Sequence, residues 1–306
     1  MSMLILQSCS NSTELDEHII AATGGETNPK VVTLSNYKQV LKLFHDFNYT
    51  TETWQAGIRE VPRIYLSEIT SQWGEVTTKE INVSLKKKLF FRVIGPLTLR
   101  SNELILQDRS HIEAIKQNKG TPKTKEQAWL AELANNYGLK PAEYKDNIKL
   151  IEELLLRVDI VPPSLVLAQA AEESGWGTSR FAFKGNALFG QWTWGKKGIR
   201  PSNQRDGKGD YKIAVFDAPL QSVQAHAKNL NSHHAYNDFR TERARLRRTG
   251  TRISGDVLAG TLSSYSERGE DYVKSLRSIM SYNKLDPVDD AYLGKNQAIV
   301  LVDPDI

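Results

Sequence analysis

One cysteine, Cys9, serves a chain of 306 residues. That excludes a disulfide framework within the chain and any cysteine-built metal site. The six histidines (His18, His45, His111, His226, His233 and His234) show no HExxH spacing. The adjacent pair His233 and His234 would point roughly 100° apart on a helix, a poor chelate. No metal or other cofactor is expected. Long apolar runs are missing too. The nearest, LFFRVIGPLTL at 89–99, is interrupted by Arg92 and Pro96, whereas a spanning helix needs about 20 apolar residues. The net charge is only +4, too weak a bias to imply an acidic polymer as partner. No internal repeat is visible, and no nucleic-acid-binding motif accompanies the basic residues.

What is present suits one large domain or two moderate ones. Hydrophobic residues make up 40% of the chain, enough for a packed core. Residues 1–35 are polar and without periodicity and read as a flexible tail. The apolar piece in MSMLILQSCSNSTELDE is shorter than the roughly 7–15 residues of a signal peptide. Two readings stand there. Leu6-Gln7-Ser8-Cys9 resembles the end of a lipoprotein signal, which would make Cys9 a lipidated anchor. The other is a frayed N-terminus with an incidental cysteine.

From Tyr37 the spacing of Val40, Leu41, Phe44 and Phe47 predicts a helix. Residues 54–77 are irregular. A capping-box pattern at Thr77-Thr78-Lys79-Glu80 opens a long helical stretch to about Lys116, with a kink expected at Pro96. Two helices follow, about 124–137 and 143–158. Pro162-Pro163-Ser164 then opens another, since proline suits a first turn. The segments 187–194 (ALFGQWTW) and 210–216 (DYKIAVF) read as strands of one hairpin. Helices are expected again at 218–231, 236–248, 254–265 and 269–282, and a loose tail after Pro287. This gives a helical N-terminal region at 36–120, a second domain at 121–285 and a tail at 286–306.

The helix LVLAQAAEE is apolar until Glu172 and Glu173, and SGWG stops it. An unpaired carboxylate costs several kcal/mol to bury, so at least one of the two should reach water or hold a raised pKa. A glutamate against apolar and aromatic walls keeps its proton to higher pH, as a general acid for glycosidic cleavage must. Trp176 is a candidate wall over Glu173, and Trp176 and Gln169, one turn back, are candidate substrate contacts. Solvated glutamates at a helix end are the bland alternative.

The stretch LAQAAEESGWGTSRFAFKGNALFGQW resembles the core motif of the bacterial endo-β-N-acetylglucosaminidase family, AQAxxESGWG followed by NLFG. The Bax-type branch is the nearest match. VFDAPLQSVQAHAKNLN, LSSYSERGEDYVKSL, VPRIYL and KKKLFFRVIGPLTLRSNELIL resemble the same branch, so the likeness spans roughly residues 35–285. It implies an α+β, mostly α fold, with a lysozyme-like helical domain and a small β-hairpin lobe preceded by a helical N-terminal region. It implies hydrolysis of the β-1,4 bond after N-acetylglucosamine in peptidoglycan, in a family often associated with amidase activity as well. The family's essential acid falls on Glu173, and a tyrosine used near the cleaved bond falls on Tyr265.

Phe189, Trp192 and Trp194 are candidates for stacking on sugar faces, with packing of the hairpin as the alternative. Trp192 and Trp194 share one face of a strand. Many relatives carry Asn where this chain has Ala187; here Asn186 comes one residue earlier. Lys212 stands where some Bax-type members have Glu. The second carboxylate that most glycosidases need is therefore open. Asp206, Asp210 and Glu267 are candidates, with Asp217 and Glu270 nearby. A substrate N-acetyl group acting as nucleophile would need no second protein acid. The six-arginine run FRTERARLRRTGTR at 239–252 reads as a solvated face or as an attractor for an anionic envelope or membrane surface. The expected place is the bacterial cell envelope, the periplasm or a lipid anchor facing it, with glycan strands as partner and no nucleic acid. Rival readings are a lytic transglycosylase and a non-catalytic glycan-binding or scaffold protein.

Overall fold

The computed structural model describes residues 16–204, 207 and 209–303. Cys9 and Asp206 lie outside them. The chain is mostly helical with a few short strands, as expected. It divides into two compact units, one made of residues 1–100, 169–224 and 290–306, the other of residues 101–168 and 225–289. The long helix Val83–Gln117 runs unbroken through residues 100 and 101. Its i→i−4 ladder gives it no cause to stop there.

The described strands are β1 (Lys30–Thr33), β2 (Glu60–Val61), β3 (Ile64–Leu66), β4 (Trp192–Thr193), β5 (Lys212–Ile213), β6 (Tyr292–Leu293) and β7 (Ile299–Val302). All belong to the first unit. Its main sheet has the order β1-β7-β3. β7 lies parallel to both neighbours, with Lys30 and Ile64 each opposite Ile299. The strand reads Ile-Val-Leu-Val because it is covered on both faces, and Val300 is fully buried. Two expectations are corrected here. The described part of 286–306, up to residue 303, is not a loose tail. The described part of 1–35 is not one either, since residues 16–23 are helical and β1 follows. Between them Glu26 accepts from Arg63 Nη1 at 2.7 Å and from the Tyr65 hydroxyl. A four-residue apolar run carries no legible period, and its partners lie at the other end of the sequence.

The long helix also opens later than expected. Thr78–Glu80 is a separate short turn. Asn82 Oδ1 accepts from Leu85 N at 2.9 Å and so caps the helix that begins at Val83. The core of this unit gathers Phe44, Tyr49, Val61, Ile64, Leu89, Leu99, Ile299 and Leu301.

The second unit is helical throughout its described residues. Asp159, just past the helix Asn147–Arg157, is 2% exposed and lies among three arginines. Arg247 binds it bidentately, Arg109 Nη1 lies 3.4 Å away and Arg243 Nε 3.9 Å. Arg243 is fully buried. It donates to the carbonyls of Leu156, Arg157, Asp159 and Ile160 and to Asn231 Oδ1. One guanidinium thus caps a helix C-terminus and holds the segment beyond it. Burial pulls its pKa down to about 10, against the opposing charge of Asp159. It stays cationic at neutral pH.

The arginine run is divided between core and surface. Arg240 and Arg243 are buried, Arg247 holds Asp159, Arg245 pairs with Glu242 and Arg252 with Asp286. Arg245, Arg247, Arg248 and Arg252 are exposed, so the run is internal structure at Arg240 and Arg243 and a solvated face elsewhere. The helix expected at 254–265 ends at Ala259, before Gly260.

His226, on the helix Pro219–Ser232, is fully buried, and burial pulls its pKa down to about 3. The unfolded chain titrates this histidine near 6.5 and therefore binds its proton first. Above pH 6.5 the group contributes no pH dependence; between about 6.5 and 3 stability falls with pH by roughly 1.4 kcal/mol per unit.

Two outcomes test this reading. Arg243→Leu, which leaves four backbone carbonyls and Asp159 short of a partner, should cost about 3–5 kcal/mol in urea unfolding; a loss below about 1 kcal/mol would contradict the role given to it. The stability difference between His226→Gln and wild type should move in the variant's favour from pH 6.5 to 4. A difference independent of pH would show that His226 is not held neutral.

Candidate active site

The glutamates sit at the end of the helix Pro163–Ser174. Its start is held within the second unit. Asn102 clamps Val161 through both its amide atoms, at 2.8 Å to the carbonyl and 3.1 Å from the N–H. Asp289 accepts from Ser164 N, Ser164 Oγ and Gly255 N, each at 2.8 Å. Burial pushes the Asp289 carboxyl up, and these hydrogen bonds draw it down. A Cβ at Gly255 would lie 2.1 Å from Ser164 Oγ, so only glycine fits this crossing.

The helix is then buried residue after residue. Leu165 to Ala171 are at most 1% exposed. Glu172 is half-buried and Glu173 exposed, while Ser174 is buried again. The sealed run thus ends at the two carboxylates, of which Glu173 is the exposed one. Gln169 is fully buried, so the expected sugar contact there gives way to a place inside the core.

The turn after Glu173 explains SGWG. Gly175, Trp176 and Gly177 have φ of +58°, +63° and +76°. Three successive left-handed residues reverse the chain, and a bulky side chain there costs about 1–3 kcal/mol of strain. The cost is offset by packing. Trp176 meets Phe90 and Phe91 edge-on at 5.7 and 5.2 Å. Lys87 Nζ lies 4.9 Å over the ring. Trp73 Nε1 donates to Trp176 O at 2.9 Å. Ser174 Oγ donates to Ala170 O and accepts from Gly177 N at 2.8 Å. A Cβ on Gly177 would lie 3.1 Å from the Trp73 indole nitrogen. Trp176 therefore anchors the turn through the first unit's core. Trp73, Phe90, Phe91 and Lys87 were not singled out in the sequence; the irregular stretch 54–77 hid Trp73, and the other three read as ordinary helix.

The hairpin pairs Trp192 with Ile213 and Thr193 with Lys212, antiparallel. Trp192 stacks on Tyr211 at 4.1 Å and meets Trp194 edge-on at 6.2 Å. Trp194 is exposed, and Phe189 is buried at 4%. The solvent-facing aromatics are thus Trp192 in part and Trp194 fully, while Phe189 packs. Lys212 Nζ donates to Lys196 O at 2.9 Å and so closes the loop. Asp210 is bound by Arg200 at 2.7 Å and by Gln204 at 3.0 Å; both oxygens serve the loop. Asn186 is left-handed, at φ +50°. It accepts from Ile69 N at 2.9 Å and donates to Phe216 O at 3.1 Å, a structural role rather than a sugar contact.

Tyr265 belongs to the second unit. It is half-buried and lies parallel to Tyr272 at 5.3 Å, with Tyr236 at 5.8 Å. His226 Nδ1 is 3.5 Å from its hydroxyl, the two rings edge to face. Glu267, two residues on, is exposed. Among the described residues no group of three or more His, Cys, Asp or Glu is arranged to hold a metal. None of the described helices is long and apolar enough to cross a membrane.

The profile of the family described as mannosyl-glycoprotein endo-beta-N-acetylglucosaminidase matches residues 148–285. Among curated proteins, the chain is 34% identical over 201 residues to Protein bax of Escherichia coli, covering 65% of this chain and 70% of that protein. Among solved structures, the catalytic domain of the autolysin Auto from Listeria monocytogenes is 19% identical, over 57% of this chain and 97% of that one, with a TM-score of 0.34. That likeness is too low to carry fold or function. The family match and the relative suffice: the chain belongs to the Bax-type branch of the bacterial endo-β-N-acetylglucosaminidase family.

Proposed function

We propose that this protein is a peptidoglycan hydrolase of the bacterial cell envelope, cleaving the β-1,4 bond after N-acetylglucosamine with Glu173 as general acid. The observation that carries the reading is the emergence of Glu173 into solvent at the end of an otherwise sealed helix, in a chain of the glucosaminidase family. Glu173 donates its proton to the glycosidic oxygen as the C–O bond breaks. A bound glycan desolvates Glu173, which favours the protonated form that a general acid needs.

Positive charge then builds on the sugar ring. Tyr265, whose ring is fixed by Tyr272 and Tyr236, supports that charge with its hydroxyl. With Asp210 bound by Arg200 and Gln204, a substrate-assisted route is favoured. The N-acetyl oxygen attacks the anomeric carbon, and water opens the product. The Trp194 face supplies a sugar platform on the hairpin.

Digestion of purified peptidoglycan, followed by mass spectrometry before and after borohydride reduction, tests the reaction. Wild type should leave reducible N-acetylglucosamine ends. Glu173→Gln should lose at least about 10³-fold in rate while still binding glycan, and Tyr265→Phe about 10–100-fold. Anhydro-muramyl ends would make the protein a lytic transglycosylase. Binding without cleavage in wild type would make it a glycan-binding protein. Trp194→Ala should raise KM severalfold with kcat little changed, as for a contact equal in ground and transition states; an unchanged KM would remove Trp194 from the platform.

A further inference from the structure

The first unit holds a cavity of about 150 Å³, lined largely by apolar side chains such as Leu66, Leu89, Val93 and Leu301. An apolar cavity of about this volume is large enough for one benzene ring. Two carboxylates, Glu68 and Asp303, stand in the same lining. Glu68 is half-buried. Burial first, then the Asp303 charge, push its pKa up, with His18 opposing. A carboxylate in an apolar wall is best stabilised by a cation that reaches it.

The lining also touches the turn after Glu173. Gly177, a residue of that turn, is part of the wall, and so are Trp73 and Phe90. Trp73 is the residue that donates to Trp176 O, and Phe90 packs on the Trp176 ring. Anything that moves the Trp73 indole moves a hydrogen bond of the left-handed turn.

We propose that this cavity is a ligand site for a protonated amine carried on an apolar body of one ring's size, and that its occupancy is transmitted to the turn after Glu173 through Trp73 and Gly177. Size selects the body and Glu68 the head group. The site lies in the part of the chain outside residues 148–285, the stretch matched by the glucosaminidase profile, except for Gly177.

Calorimetric titration of the full chain with benzylamine, and with benzyl alcohol as the neutral counterpart, tests the site. Benzylamine should bind saturably and at least about tenfold tighter than the alcohol, and Glu68→Gln should abolish that preference without lowering the melting temperature. Gly177→Ala, whose added methyl would lie 3.1 Å from the Trp73 nitrogen and 3.4 Å from the Phe90 ring, should weaken binding severalfold. In amide NMR spectra, Gly175 and Trp176 should shift with the titration. No saturable binding, equal affinity for the two probes, or a preference that survives Glu68→Gln would overturn the site. Unmoved amides at Gly175 and Trp176 with benzylamine bound would overturn its coupling to the turn. None of these readouts needs hydrolase activity, so they stand apart from the role given to Glu173.

Discussion

Everything proposed for Glu173 depends on where its helix begins. Asn102, Arg243 and Asp289 each spend side-chain hydrogen bonds on backbone groups between Asp159 and Ser164. A helix turns about 100° per residue, so a slip of one position would carry Glu173 into the core and bring a neighbouring residue to the surface. The aliphatic and alanine residues of Leu165–Ala171 resist such a slip only weakly, because they are nearly interchangeable around the axis; Gln169 is the polar exception among them. The polar clamps at the start set the register. Ser174 and the turn that follows set it a second time at the end.

The two ends are held by different physics. At the start, buried polar groups satisfy one another, and the guanidinium of Arg243 is stabilised by carbonyls as much as by Asp159. Such a network is stiff because every member would be left unsatisfied by movement of another. At the end, backbone strain at Trp176 is balanced by ring packing on Phe90 and Phe91 and by one indole hydrogen bond. Packing yields more readily than a saturated polar network, so the end next to Glu173 is the more adjustable of the two.

How much of this was legible depends on sequence distance. Pro163 and Gly175 mark the glutamate helix by local chemistry alone, and the hairpin announced itself by alternation and aromatic residues. The family motif pointed to Glu173 without showing why glycines flank Trp176; the three positive φ values supply that reason. The arginine run misled because its meaning lies elsewhere: Arg243 is a buried cap only once Asp159 and the carbonyls of Leu156 and Arg157 are brought to it. Asn82 was passed over for Thr77 and Thr78, since both satisfy the same capping preference and only tertiary packing chooses. Gln169 looked like a ligand for sugar because a polar residue in a motif invites that reading, whereas it lies inside the core; Asn186, one residue before the position where relatives carry Asn, spends its amide on the backbone of Ile69 and Phe216.

The sheet order β1-β7-β3 has a consequence for how the molecule comes to exist. β1 and β3 are made early in synthesis but do not pair with each other; β7 lies between them and is made some 230 residues after β3. Until it arrives, both present unpaired edges, and long-range parallel pairing is intrinsically slow. The first unit thus has a built-in waiting period during which its early residues are open to wrong partners. A protein exported before folding would meet this interval outside the cytoplasm, where whatever guards those edges has to be available.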